Sequence, residues 1–311
     1  MPKLDRFATT CQGSVLNWKQ VKGCLSMLGF LKRRLRNRSV SPLKHTVVTT
    51  FHEKGYQVYG RKCLESFLLS WPEDVDMLVY AEDVDVDITS PRLTVLDHVP
   101  TLDKLRTFRA FYGDNPFANG TSPHNPERTG DFRWDAVRFC NKVFAITDAI
   151  RRTAGRSDQL IWLDADTVTH QTIPHAFIDR MAPRDNELAA YLNRKSYPEC
   201  GWVGYNLNHA KIGLFADRFE DIFLDGSFLK LKESHDSFVF WHLVKEMKKQ
   251  GEADFKYLGS DYAKGHIFIN SELGQYLDHL KGDRKEAGKS YQKDLKKNRS
   301  ENWWASSADA P

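Results

Sequence analysis

The stretch HTVVTTF, residues 45–51, is β-branched and apolar without alternation, the pattern of a strand covered on both faces. A polar turn containing Gly55 follows. Val58, Cys63, Phe67 and Leu68 then recur near helical spacing through 56–71, and DMLVYAED at 76–83 returns to strand character. Strand, helix, strand predicts a parallel crossover unit, and RLTVLDHV at 92–99 adds a further strand. From Tyr112 to Gly130 the chain is rich in Gly, Pro, Asn and Ser and lacks periodicity, which predicts a long loop and a candidate lid. RWDAVRFCNKVFAITDAIRR, 133–152, sets Val137, Cys140, Val143, Phe144 and Ile150 on one helical face and leads into the strand LIWLDADT, 160–167. The expected fold is therefore α/β, an open, mostly parallel mixed sheet flanked by helices, with a Rossmann-like N-terminal half.

Beyond Pro174 the pattern predicts helices at 175–181, 213–223 and 236–249 and a strand near 186–192. ECGWVGYN, 199–206, reads as a glycine-bearing loop, and GHIFIN, 265–270, as a short strand before the amphipathic SELGQYLDHLK.

Composition narrows the function. Apolar residues make up 41% of the 311 and aromatic residues 12%, enough for a substantial core. Lys and Arg number 45 against 41 Asp and Glu, and a net charge of +4 is too small to argue for nucleic acid. The cationic excess sits in the flanks, at Lys32, Arg33, Arg34, Arg36 and Arg38 and at Lys293, Lys296, Lys297 and Arg299. Three regions follow: a basic extension over 1–43, a folded domain over 44–281 and a basic polar tail over 282–311. The apolar run CLSMLGFL, 24–31, is far shorter than the roughly 20 residues a spanning helix needs, but with the basic run behind it it could lie on a membrane surface. Five widely spaced cysteines without a CxxC pair fit a reducing compartment, so the expected location is cytoplasmic, with peripheral contact at the inner face of the membrane.

Asp164 and Asp166 end a strand otherwise apolar enough for a sheet interior. Residues two apart on a strand face the same side, and open α/β sheets bind ligands where their strands run out. Two hard oxygens there suit Mg²⁺ or Mn²⁺, a cation that can hold a diphosphate; capping the next turn or pairing with arginines would suit them equally. Asp135, Arg138 and Lys142 form a polar stripe on the helix feeding that strand, placed to meet donor phosphates or to remain solvated.

An apolar strand ending in DxD, on alternating strands and helices, resembles the GT-A-fold glycosyltransferases that use nucleotide sugars. The likeness spans about 44–281, and RWDAVRFCNKVFA followed by LIWLDADT resembles a pairing in bacterial members. It implies a metal-dependent transfer of a sugar from a nucleotide-diphosphate donor, a UDP-sugar first, to a hydroxyl on a saccharide or lipid-linked acceptor in polysaccharide biosynthesis. It further implies that Thr49, Thr50, Phe51 and His52 at the end of the first strand meet base and ribose, that Glu82 and Asp83 end the next strand likewise, and that the loop containing Gly201 lines the donor and acceptor cleft. A late histidine joins the metal in many members, which points to His266, and Asp236 matches the base of inverting members, although His235 stands where Glu is usual. That departure leaves the stereochemistry open, with inversion expected. Lys264, Arg284 and Lys285 are candidates to close over the diphosphate.

Two other readings compete. A nucleotidyltransferase would want a glycine-rich basic loop after the first strand, where VTTFHEKGYQVYG offers only Gly55 and Gly60. A non-catalytic carbohydrate-binding protein with the same fold would lack a metal shell, whereas a full candidate set is present here.

Overall fold

The computed structural model describes residues 43–259 and 265–305. The basic N-terminal segment and Lys264 lie outside the described residues.

Seven strands form the central sheet, in the order β3-β2-β1-β4-β7-β6-β8. They are β1 (His45–His52), β2 (Asp76–Glu82), β3 (Leu93–Asp97), β4 (Gln159–Leu163), β6 (Glu187–Leu192), β7 (Glu199–Asn206) and β8 (Asp254–Leu258). β1 pairs in parallel with β2 and β4, and β2 with β3. β7 runs antiparallel to both β4 and β6, while β6 and β8 are parallel, so β7 is the reversed strand of a mostly parallel sheet. The expected mixed α/β sheet flanked by helices is what the chain forms.

Alternation along the buried strands divides the core between the two faces. Val48, Leu160 and Trp162 face a layer made by α2 (Asp103–Tyr112), α3 (Ala136–Thr153), α5 (Ile212–Leu224) and α6 (Asp236–Lys249), where Phe108, Phe144, Phe219 and Phe240 pack. Val47, Ile161 and Leu163 face the opposite layer with α1 (Arg61–Ser70) and α4 (His175–Met181). Burial on both faces explains why β1 and β4 read as unbroken apolar runs.

A second, two-stranded sheet pairs β5 (Thr167–Thr169) with β9 (Leu277–His279), placing Thr167 opposite His279. The chain between β4 and β5 is thereby clamped on two sides. Asp164 donates its backbone N–H to Gly201 O at 2.9 Å, and Asp166 O accepts from Leu280 N at 2.7 Å.

Several expectations change here. Residues 199–206 are the buried strand β7, not a loop, because the segment lies between two sheet neighbours that take its backbone bonds. GHIFIN holds a short helix, Ile267–Asn270, with all four residues buried; short apolar runs do not distinguish strand from helix by periodicity. Residues 282–305 are not a solvated tail. Trp304 is 1% exposed, buried Asp278 accepts from Ser290 N at 2.8 Å and from Ser290 Oγ at 2.6 Å, and Arg299 Nε donates to Ile269 O at 2.8 Å. The 112–130 segment holds a turn of 3-10 helix at Pro116–Ala118 and reaches toward residue 231 through His124 Nε2 on Leu231 O, 2.9 Å. None of its residues lines the cleft beside Asp164 in this conformation. Among the described residues no helix is long and apolar enough to cross a membrane.

Candidate functional site

The cleft opens where β1, β2 and β4 end. Thr50, Phe51, His52, Glu82, Arg138, Asn141, Lys142, Trp162, Asp164, Asp166, Tyr59 and Lys285 line it. It therefore sits at the C-terminal ends of parallel strands, the usual place for a ligand in an open α/β sheet.

Asp164, Asp166 and His279 converge, with one ligand atom from each lying within 4.8 Å of the others. His279 Nε2 is 3.0 Å from Asp166 Oδ1 and 3.5 Å from Asp164 Oδ2. Its other nitrogen, Nδ1, faces Glu199 Oε1 at 3.4 Å. Two carboxylate oxygens and one imidazole nitrogen, the imidazole backed by a further carboxylate, make a donor set suited to a divalent cation. Imidazole in the set favours Mn²⁺ over Mg²⁺.

Asp164 is oriented from behind. Its Oδ1 accepts from Trp162 Nε1 at 2.6 Å and from Lys142 Nζ at 2.8 Å, which turns Oδ2 toward His279. Lys285 Nζ lies 2.8 Å from Asp166 Oδ2, and Lys281 pairs with Glu199 Oε2. Burial alone would raise the Asp166 carboxyl, but His279 and Lys285 outweigh it and hold the group below the ordinary carboxylate range. Burial would likewise lower His279, yet Asp166 and Glu199 carry it up to about 9. Without a cation, an imidazolium and an ammonium thus balance the carboxylates.

His266, expected as the third ligand, stands one layer back. Its Nε2 donates to the backbone carbonyl of His279 at 2.6 Å, and burial, the largest cause, lowers its pKa to about 4, so the ring is a neutral support for β9. The converging histidine is His279. The signal that could have found it was LDH ending an apolar stretch, but SELGQYLDHLK reads as an amphipathic surface segment.

Gly201, expected along the cleft, is inside β7 and does not line it. A Cβ there would meet His279 Cε1 and Nδ1 at 2.6 Å and Glu199 Oε1 at 3.1 Å. Only glycine lets the His279 ring lie against this strand. Gly201→Ala is expected to displace the ring and weaken Mn²⁺ binding by about 10- to 100-fold, by analogy with loss of groups that orient metal ligands. Calorimetric titration of Mn²⁺ into the folded variant checks this, and wild-type affinity would show that the ring tolerates the methyl group.

Other expected residues divide. Thr49 is fully buried with its hydroxyl unpartnered, and Thr50 opens to the cleft instead, donating to Tyr80 O at 2.7 Å and to Glu82 Oε1 at 2.8 Å. Phe51 lines the cleft from within the core, its ring 5.2 Å from that of Tyr56. Burial raises the Glu82 carboxyl. Asp83 closes β2 with φ 53°, a left-handed conformation uncommon outside glycine. Asp135 caps α3, accepting from Arg138 N at 3.1 Å, and does not reach the cleft. Arg138 does reach it and makes no ion pair among the described residues. Arg284 turns away to Asp294.

Asp236 changes most. It begins α6, 6% exposed, and Lys142 Nζ lies 2.9 Å from its Oδ2. Lys142 also donates to Cys200 O at 2.8 Å, so one ammonium joins the DxD strand, β7 and α6. Burial opposes ionisation of Asp236, but Lys142 outweighs it and holds the carboxyl below the ordinary range. The residue sits behind the cleft lining, not in it.

The chain is similar in structure to the apo form of mouse xyloside xylosyltransferase 1, with a TM-score of 0.44 and 11% sequence identity over 68% of this chain and 84% of that one. No family model and no curated protein matches it.

Proposed function

We propose that the protein is a divalent-metal-dependent glycosyltransferase that moves a sugar from a nucleotide-diphosphate donor, a UDP-sugar first, to a hydroxyl of a saccharide or lipid-linked acceptor. The observation that carries this reading is the convergence of Asp164, Asp166 and His279 at the strand ends of a cleft that also holds Arg138, Lys142 and Lys285. The resemblance of the DxD strand to GT-A enzymes points the same way.

Asp164, Asp166 and His279 would hold the cation, which when bound neutralises the donor diphosphate as a leaving group. Lys285, freed from Asp166 by the cation, and Arg138 are placed to take phosphate oxygens. Thr50, His52 and Glu82 offer hydroxyl, imidazole and carboxyl groups to the nucleoside.

In the transfer, the bond from the anomeric carbon to the diphosphate oxygen breaks and its electron pair leaves with the diphosphate. A bond to the acceptor oxygen forms, and the acceptor hydroxyl gives up its proton. The carboxylates lining the cleft are Glu82, Asp164 and Asp166. Two of these face the cation and Glu82 is engaged by Thr50, while Asp236, expected as the base, is held behind the lining by Lys142. In this reading the proton goes to the departing diphosphate oxygen, with attack from the leaving-group face and retention of configuration in place of the expected inversion. Asp236 acts as a positioning residue for Lys142.

Calorimetry with UDP and with GDP, each with and without Mn²⁺, tests the donor site, and binding that needs the cation is expected. Absence of metal-linked binding to these and to further nucleoside diphosphates would remove the transferase reading. Proton NMR in the first minutes of UDP-sugar turnover then reads the anomer formed. An inverted product would return the base role to Asp236.

A further inference from the structure

Next to the cleft, outside the donor site, an aromatic cluster surrounds a buried histidine. His235 is 2% exposed and its Nε2 is 2.9 Å from Glu233 Oε2. Its ring packs 4.6 Å from Tyr197, 5.5 Å from Phe132 and 5.9 Å from Phe139. Phe139 also lines the donor cleft, so the cluster is continuous with that cleft. On α6, Phe238 links His235 to Trp241, with ring centroids 6.3 Å and 5.6 Å apart in turn. The buried half of the cluster is fixed by hydrogen bonds: Ser234 N donates to Arg133 O at 2.7 Å, and Trp134 Nε1 to Lys232 O at 3.1 Å. The outer half is open. Phe132 is 49% exposed, and Tyr197 and Trp241 are partly exposed.

Two cations lie on the ring faces of this shelf, and the acids bordering it are engaged elsewhere, Asp131 by Arg128 and Arg133 and Glu246 by His242. Arg194 lies over Tyr197 at 4.6 Å and Lys245 over Trp241 at 4.1 Å. Neither makes an ion pair among the described residues, and Arg194 Nε donates to Tyr197 O at 2.6 Å. The acids beside them, Glu233 and Asp236, are buried and engaged by His235 and Lys142. Two cations resting on aromatic faces, neither held by a carboxylate, attract an anion whose body can stack.

We propose that this shelf receives the acceptor, and that the acceptor is a saccharide bearing a negative charge. The inference rests on the transferase reading above and adds the class of the second substrate. When Lys245 and Arg194 turn to its carboxylate or phosphate, the Trp241 and Tyr197 faces they cover are freed for the C–H face of a pyranose ring. Position supports this occupant: an acceptor hydroxyl must reach the anomeric carbon beside Asp164, and Asp236 and Phe139 join shelf and cleft.

The test uses the full chain loaded with UDP and Mg²⁺, so that the donor site is filled, and ligand-observed NMR titrations of methyl β-glucuronide, glucose 6-phosphate and methyl β-glucoside. Binding of either acidic probe about fivefold tighter than the neutral one is expected, a difference of the size of an exposed ion pair. The two acidic probes distinguish a carboxylate from a phosphate acceptor. Lys245→Glu should erase the preference and Trp241→Ala should weaken both classes about tenfold, the size of an aromatic contact, with nucleotide binding unchanged. Both side chains are on the outer surface of α6, and thermal melts confirm folding. Equal affinity for acidic and neutral probes, or wild-type binding by both folded variants, would overturn the shelf while leaving the donor site standing. Loss of UDP binding in the wild type would instead overturn the transferase reading, and the acceptor role with it.

Discussion

Asp166→Ala is expected to abolish Mn²⁺-linked nucleotide binding while leaving a folded protein. Asp166 supplies one of three converging ligand atoms and also meets Lys285. Wild type should gain stability with added Mn²⁺ and UDP, since a ligand that binds only the folded state at 100 times its dissociation constant contributes roughly 2.7 kcal/mol; the variant should gain none. A second readout needs no nucleotide. His279 is raised to about 9 in the folded protein, chiefly by Asp166 working against burial. A folded pKa above the unfolded one stabilises fully below the unfolded value near 6.5, and that contribution is lost as pH rises through about 9. Cation-free wild type should therefore lose stability between about pH 6.5 and 9, as read by urea midpoints. With Asp166 gone Glu199 still opposes burial, but the histidine titrates lower, and this slope should shrink. Mn²⁺ reverses the wild-type trend, because the ring must shed its proton to bind metal and affinity rises with pH up to about 9. A variant that still binds UDP only with Mn²⁺ would place the cation elsewhere.

How far the sequence could lead follows from where each signal resides. Asp164 and Asp166 were legible because period two and strand-end position are local properties of LIWLDADT, and α3 because its apolar face repeats over five turns. His279 was not, because its role comes from pairing β9 with β5 across more than a hundred residues, and nothing in the run around it encodes that pairing. His266 is the other late histidine, and the fold sets its ring edge-on beside that of His279, 6.1 Å away, with Nε2 spent on the His279 carbonyl instead of a cation. Gly201 carried the right residue with the wrong reason: the chain needs no turn there, only the absence of a Cβ under an imidazole. Asp135 and Asp236 both begin helices, where a carboxylate serves backbone and site equally well in sequence terms. Contacts alone separate them, one bonded to its own helix and the other to Lys142.

Lys142→Met should be among the most destabilising single changes in the domain. The side chain is 13% exposed and its ammonium lies between Asp164 at 2.8 Å and Asp236 at 2.9 Å. Burial acts against the charge, but the two carboxylates outweigh it and hold the amine protonated far above neutrality. Methionine keeps the length and removes the charge, so both carboxylates lose the ammonium they share; Asp164 keeps Trp162 Nε1 and Asp236 keeps His235 nearby. Removing one member of a buried ion pair costs about 3–5 kcal/mol, a large share of the roughly 5–15 kcal/mol that holds a domain folded. Urea denaturation should show a lower midpoint with an unchanged slope. The pH dependence should also change. In wild type the Asp236 pKa is depressed, so its contribution is present above the unfolded value and lost as pH falls through the folded one. In the variant only His235 still opposes burial, which moves that pKa upward, so the protein should lose less stability toward pH 5, or gain some, relative to pH 8. Asp236→Asn in the methionine background removes one of the stranded charges and should recover part of the loss, whereas Asp236→Asn alone should destabilise. That opposite response of the same substitution in two backgrounds is what a shared ammonium requires, and additive effects would mean that Lys142 and Asp236 contribute to stability independently.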